Sequence, residues 1–455
     1  MPTKQHQPSI DTFVNSNTQK GKLNVDRQHK IDDSLNKLIV GKVIPISIVE
    51  NVYFRDFVAL LEPRYKIPSR FTVIFRLEKK KEEIGAKLNN DLESVKDISI
   101  THDGWISLNT ESYFTTTIHY IDRSWELQSA VLGTVKMEFS HTSENIANSL
   151  QKTQLQWKLP QPIATSDNAA NEVKAYEILG WSRFGCYGHR INLIVKHSLL
   201  VKEVDIILGK SRKLVTFFHK SSNVTEMLLS KQKLLLNQEQ VGHKLIIDVA
   251  TRWNSTLYML QRLVEQTPVL MALANDPDLS KTASNTLKNC VFSFQELSIV
   301  EKLVELLSPF EKATTILCAD KYPTMHKVLP VITKLLRIVE LNDEDLPVIK
   351  HIKQQMQLEM DKRAVSEDIS VIACMMNPFT KDLHFAPNDR DRARMLLREM
   401  VSVLDVNPVQ VKQEKVDDKI VPALPSLPSM NSQPEEQVSP DGGSEPDTQP
   451  PKTKN

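Results

Sequence analysis

Ile98-Ser99-Ile100-Thr101-His102-Asp103-Gly104-Trp105 is the stretch on which the fold reading turns. Ile98 and Ile100 alternate with polar residues, the period of a half-buried strand. The run ends on an aspartate followed by Gly-Trp. Working outward, Tyr113–Ile121 alternates again and is β-rich through Thr115, Thr116 and Thr117, and Leu127–Val135 is a third strand candidate. Short turns between the three predict an antiparallel meander. A helix is expected from about Ser143, with Ile146, Ala147, Leu150 and Trp157 inward. A short strand, Pro162–Ser166, then ends at a second aspartate, Asp167.

Three strands, a helix and a fourth strand form the opening order of an RNase H-like α/β fold. Upstream, residues 1–24 are polar and without apolar period, and read as a flexible leader. Residues 25–92 read as a helical, basic segment. Within it Ser47-Ile48-Val49-Glu50 matches a capping box, and Tyr53, Phe57, Leu60 and Leu61 share one face before Pro63. A basic stretch follows with Arg70, Arg76, Lys79, Lys80 and Lys81, interleaved by Phe71 and Phe75. Downstream, Leu245-Ile246-Ile247-Asp248 reads as one more strand. A helix capped at Asn254 or Ser255 is expected to run to Pro268. The expected domains are thus an RNase H-like core over 93–268 and an all-helical insertion over 269–400. Residues 401–455, with nine prolines and no aromatic residue, read as a disordered acidic tail.

Composition narrows the chemistry. The net charge is +1, but residues 1–90 hold 16 Lys/Arg against 10 Asp/Glu, and residues 401–455 hold 5 against 9. A basic front suits a nucleic-acid partner, although a solvated surface would look the same. The four cysteines include no Cys-x-x-Cys pair, so no zinc finger is expected within these residues, and their scarcity suits a reducing compartment. No apolar run resembles a signal peptide or a membrane span. Gly-rich phosphate loops are lacking, which argues against nucleotide-dependent enzymes of the P-loop or dinucleotide kind.

Two aspartates at strand ends can be neighbours in one sheet, and paired carboxylates hold the divalent ions of phosphodiester chemistry. The structural alternative makes Asp103 a turn residue and Asp167 a helix N-cap. Further segments carry the comparison: Thr165-Ser166-Asp167-Asn168-Ala169-Ala170-Asn171, Cys186-Tyr187-Gly188-His189-Arg190-Ile191-Asn192-Leu193, and Asp248-Val249-Ala250-Thr251-Arg252-Trp253-Asn254-Ser255-Thr256. With Ile98–Tyr120 and Pro45–Arg70, and in this order, they resemble the hAT superfamily transposases and the zinc finger BED domain-containing proteins derived from them, over about residues 25–400.

The resemblance implies that Asp103 and Asp167 occupy the first and second catalytic aspartate positions. It also implies that Trp105 and Trp253, with Arg252, lie near a DNA end, where an aromatic face could stack on an extruded base. A place in the core is the alternative for both tryptophans. Cys186 and His189, spaced i, i+3, resemble the family's Cys-x-x-His helix. Two ligands do not complete a tetrahedral site, so His189 is expected to be a hydrogen-bonded structural residue and no metal is expected. The family's third acid, a glutamate beyond the helical insertion, has no counterpart before the Pro-rich tail. Met376-Asn377-Pro378-Phe379 resembles a Leu-Asp-Pro-Arg motif with asparagine in place of the acid. Nor do these residues include a BED finger or the family's C-terminal dimerisation region. The expectation is an incomplete RNase H-like domain without transposase activity or cofactor, retaining at most the remains of a Mg²⁺ site. Its expected role is as a nuclear, DNA- or chromatin-associated regulatory or scaffold protein. An active nuclease completing its triad from another chain and a non-functional mobile-element fragment are the alternatives. Val411-Lys412-Gln413-Glu414 matches a SUMO acceptor consensus, making Lys412 a candidate modification site.

Overall fold

A computed structural model describes residues 23–403, except 108, 138–139, 236–241, 250 and 320. Lys412 and the proline-rich stretch around it lie outside the described residues, as does most of the leader. Contacts group Met1–Glu399 into one unit and Met400–Asn455 into another, and the account below concerns the first.

The N-terminal helices are α1 (Val25–Gly41), α2 (Val52–Leu61) and α3 (Arg70–Leu92). A 3₁₀ turn at Ile46–Glu50 occupies the expected capping box, and α2 instead starts from Asn51, whose side chain accepts from the Phe54 N–H at 3.1 Å. Leu35, Ile39, Val49 and Val73 form a small core. Helix α2 buries none of its residues, and Tyr53, Phe57, Leu60 and Leu61 are all exposed. The amphipathic period is present, but no described element covers that stripe.

The sheet comprises β1 (Ser99–Ile106), β2 (Ser112–Ile121), β3 (Leu127–Lys136), β4 (Ile163–Ser166) and β5 (Arg183–Gly185), in the order β3-β2-β1-β4-β5. β1, β2 and β3 form the expected antiparallel meander, whereas β4 joins β1 in parallel and β5 joins β4 in parallel. Helices α4 (Ser143–Gln156) and α5 (Ala170–Leu179) provide the crossovers. Together with the end of α3 they cover one face. Ile100, Phe114, Ala164, Ile146 and Tyr176 fill one part of it, and Leu88, Ile98, Ile118 and Leu132 the other. Leu132 sits in a β-bulge, skipped in the β2–β3 register, which turns it to the covered side. The short β5 was not anticipated, because three residues show no period.

The all-helical body begins earlier than residue 269. α6 (Tyr187–Ser198), α7 (Lys202–His219), α8 (Ser222–Leu235) and α9 (Trp253–Ala274) share one continuous core with α10 (Lys281–Cys290), α11 (Phe294–Leu317), α12 (Met325–Ile338) and α13 (Pro347–Arg363). Helical periodicity marks a buried stripe but not the neighbour that buries it, so the boundary at residue 269 is corrected to the start of α6. α14 (Asp368–Met376) and α15 (Arg390–Val403) follow.

Two further expectations fail here. Helix α9 continues through Pro268 to Ala274, leaving the Val264 carbonyl without its helical donor. Residues 245–248 form no strand. Their stretch is held by side chains: Gln232 brackets His243 at 2.8 Å, Arg262 donates to the Lys244 carbonyl at 2.6 Å, and His219 Nε2 lies 2.9 Å from the Leu245 carbonyl. Side-chain donors supply the hydrogen bonds that a neighbouring strand would have provided.

Candidate active site at the sheet end

The β1–β4 ladder pairs Ser99 with Ile163, Ile100 with Ala164 and Thr101 with Thr165. Continuing that offset sets Asp103 level with Asp167. Alternation then fixes the face. Ile100, His102 and Ala164 point into the covered side, so Thr101, Asp103 and Trp105 lie on the other, with Thr165 and Asp167. Asp103 is exposed and Asp167 half-buried.

The backbone beneath is firmly held. His102 Nδ1 lies 3.2 Å from Glu172 Oε2, with both side chains buried, and the imidazole stacks on Phe114 at 4.7 Å. Gly104 makes that seat possible, since a Cβ there would stand 2.5 Å from the Phe114 ring. Across the sheet, Asp167 Oδ1 accepts from the Ala169 N–H at 2.9 Å. Arg183 of β5 donates from Nε to Ser166 Oγ at 2.8 Å, and from Nη2 to the Asp167 carbonyl and to Asn168 Oδ1. Arg183 thus fastens the β4–α5 turn, a role that the sequence alone did not signal.

The open face near Asp103 is polar and aromatic. Trp105 is 43% exposed and stacks on Tyr113 at 5.8 Å, which places it outside the core. Thr115, opposite Asp103, hydrogen-bonds Thr134 at 2.7 Å, and Thr101 lies 3.1 Å from His119 Nε2. Burial pushes the His119 imidazole below its ordinary value.

Such a pair of carboxylates could share one divalent cation. Two-metal chemistry needs more donors. One Asp167 oxygen is already committed, and among the described residues no group of three or more His, Cys, Asp or Glu side chains stands ready to hold an ion. The residues therefore do not fit a two-metal centre, and no chemical step is derived through one.

The remaining candidates separate. Trp253 is 3% exposed in the helical core, so its ring faces no ligand, which corrects the expectation of a DNA-facing indole. Its neighbour Arg252 is exposed ahead of α9. Asp248 anchors the same motif. Arg212 donates to both of its oxygens, from Nε at 3.0 and 3.1 Å and from Nη2 at 2.7 Å, and Thr256 donates at 3.0 Å. Burial alone would raise the Asp248 carboxyl, but the Arg212 and Thr256 contacts outweigh it and hold it below the usual range.

His189 is half-buried and makes no hydrogen bond among the described residues, so the expected hydrogen-bonded role is corrected. Its neighbours do that work. The Tyr187 hydroxyl donates to the Val365 carbonyl at 3.0 Å, Arg190 pairs with Glu367 while its guanidinium lies 4.5 Å from the Tyr187 ring, and Asn192 Oδ1 accepts the Trp253 N–H at 3.4 Å. Cys186 precedes α6, and a Cβ on Gly188 would stand 3.8 Å from its thiol and 2.5 Å from that of Cys318. Both cysteines are free thiols.

Arg70, Lys79, Lys80 and Lys81 are exposed on α3, with Phe71 and Phe75 also exposed and Lys80 paired to Glu83 at 3.1 Å. Arg76 is not part of that surface. It pairs with buried Asp32 at 2.9 Å, and the Tyr65 hydroxyl donates to the same carboxylate at 2.8 Å.

Comparison with known proteins matches this architecture. Residues 101–182 match the ZBED1 RNase-like domain and residues 184–303 the ZBED1 RNase-like helical domain. The chain is 26% identical over 410 residues to a Zea mays protein named as an AC9 transposase, covering 79% of this chain and 48% of the relative. It is 24% identical over 393 residues to Homo sapiens zinc finger BED domain-containing protein 4, covering 82% and 32%. It is also 26% identical over 363 residues to a Talaromyces stipitatus protein named as a transcriptional regulator, tpeD, covering 69% and 41%. The chain spans about half the length of the maize relatives it matches. An RNase-like sheet joined to a helical body, matched in that order by the two ZBED1 domains, makes the chain similar to hAT-type transposases and the zinc finger BED proteins, and supports a hAT-like, transposase-derived origin.

Proposed function

We propose that the protein is a DNA-associated regulatory or scaffold factor of the nucleus that has kept the transposase scaffold without its strand-transfer chemistry. The observation that carries the reading is the site itself. Continuing the β1–β4 ladder past Thr101 and Thr165 sets Asp103 level with Asp167, yet among the described residues no group of three or more His, Cys, Asp or Glu side chains stands ready to hold an ion. At most the remains of a Mg²⁺ site persist, and no cofactor is required. DNA association rests on the exposed cations of α3, and on relatives named as zinc finger BED and transcriptional regulator proteins. Among the described residues no helix is long and apolar enough to cross a membrane.

Phosphate contacts release counterions, so binding should weaken steeply with salt. The test is fluorescence anisotropy with a DNA duplex across a salt series, for the parent chain and for K79A/K80A/K81A. The expected outcome is a weaker complex with a shallower salt slope in the variant. Salt-independent binding would count against the reading.

A second reading, an active nuclease completed by an acid from another chain, is favoured by the preserved register of the two aspartates. Incorporation of a labelled DNA end with Mg²⁺ or Mn²⁺, abolished by D103N, would establish it in place of the first.

A further inference from the structure

At the far end of β2 from Asp103, the β2–β3 turn and the C-terminal part of α3 enclose a cleft of 830 Å³ lined by Lys87, Asn90, Asp91, Tyr120, Arg123 and Trp125. About six residues of strand separate it from the level of Asp103, roughly 20 Å. Tyr120 also points to the covered face, so the cleft does not belong to the paired-aspartate site.

The turn is well built. Trp125 donates its N–H to the Asp122 carbonyl at 3.0 Å, and Asp122 donates to the Glu126 carbonyl at 3.0 Å. The Asp122 carboxylate accepts from the Ser124 and Glu126 N–H groups and from Gln128 Nε2 at 2.8–3.0 Å, and these bonds hold it below its ordinary range. That carboxylate is therefore spent within the turn. The anomaly is Trp125. It adopts φ 64°, a left-handed conformation that glycine or asparagine takes far more easily, and its indole is 89% exposed. Folding gains nothing from a large apolar ring in water on a left-handed backbone. Residues held in unfavourable backbone regions gather at ligand sites. Of the other residues lining the cleft, the Lys87, Arg123 and Asn90 side chains make no hydrogen bond or ion pair among the described residues, while burial and, after it, the Asp91 carboxylate raise the Tyr120 hydroxyl above its ordinary value.

We propose that this cleft binds a nucleotide, free or as a unit of a nucleic-acid strand. The base stacks on the Trp125 indole, the phosphate lies between Lys87 and Arg123, and Asn90 and Asp91 supply a donor and acceptors to the base or sugar edge. A flat ring beside two unpaired cations matches a ligand that is itself a flat ring bearing an anion. The volume falls in the range of small-ligand sites. The inference does not depend on the reading of the paired aspartates.

The test titrates the full chain with adenosine monophosphate and with a short oligothymidylate, following binding by calorimetry. Trp125→Gly is the decisive variant, because glycine suits φ 64° and should leave the thermal midpoint equal or higher. Its affinity should fall about tenfold or more, the loss of one base–indole stack. K87A/R123A should weaken binding comparably and flatten its salt dependence. Equal affinity for the two ligands assigns a free nucleotide, and markedly tighter oligonucleotide binding assigns a strand. Absence of saturation up to about 1 mM with both ligands overturns the proposal. So does unchanged affinity in a folded Trp125→Gly protein.

Discussion

Replacing Asp248 tests how the Asp248–Thr256 segment is held. The carboxylate is 5% exposed and receives three charge-assisted contacts from Arg212 and one hydrogen bond from Thr256. Removing one partner of a fully buried pair costs about 3–5 kcal/mol. Here Arg212 is 42% exposed, so after Asp248→Ala its guanidinium rehydrates and no buried cation is stranded. The loss reduces to charged hydrogen bonds, about 1.5–3 kcal/mol, together with the orphaned Thr256 hydroxyl, about 1 kcal/mol. A total of about 2.5–4 kcal/mol is expected. Asp248→Asn keeps an acceptor for Thr256 and should cost about half as much. Hydrogen exchange on the α7 and α9 amides reads this directly. Protection should fall roughly 60- to 700-fold in the alanine variant, since 1.4 kcal/mol is a factor of ten. The acid limb supplies a second check. The carboxyl lies below its ordinary value in the folded state, so its contribution is complete above the unfolded value of about 3.9 and is lost as pH falls through the lower folded value. A protection change under about threefold in the alanine variant would refute the assignment of Asp248 as an anchor.

Gly188→Ala should destabilise the start of α6, because its Cβ would stand 2.5 Å from Cys318 Sγ. Chemical denaturation should show a loss of about 1–3 kcal/mol, relieved by Cys318→Ala. Glu172→Ala strands the buried His102 imidazole and should cost about 1–3 kcal/mol, whereas Glu172→Gln preserves a hydrogen bond and most of the stability. Trp253→Ala should cost about 3–5 kcal/mol as a core truncation, whereas Trp105→Ala should stay within about 1 kcal/mol. Equal losses at the two tryptophans, in matched thermal melts, would contradict their placement.

The sheet was legible because alternation and chemistry coincide in it. Ile98 and Ile100 fix the buried face, and Asp167 marks the end of β4, whereas β1 runs on past Asp103 to Ile106. The side chains that secure the site were not legible. Glu172 and Arg183 reach it from α5 and β5, and their meaning depends on contacts 70 and 17 residues away in sequence with His102 and Ser166. The same limit explains residues 245–248, where a β-branched run found side-chain donors rather than a strand. It explains the two tryptophans as well. Trp105 and Trp253 both lie in segments that carry the family resemblance, yet one projects from a strand onto an open face and the other is buried at the start of a helix in the helical core. Pattern gives an element and its stripe, whereas burial depends on which neighbour arrives.

Strand alternation also divides the evolutionary burden. Along β1 and into the turn after β4, Asp103 takes an exposed position and Asp167 a half-buried one, whose carboxylate also accepts the Ala169 N–H. Their immediate neighbours His102 and Ser166 take the positions that bury most. Substitution of Asp103 therefore leaves the packing intact, and selection on folding alone cannot preserve it. A saturation library scored only for folding should find position 103 permissive, position 167 intermediate and positions 102 and 166 intolerant. In a lineage released from mobility, catalysis can decay one exposed residue at a time while the scaffold remains available for other work.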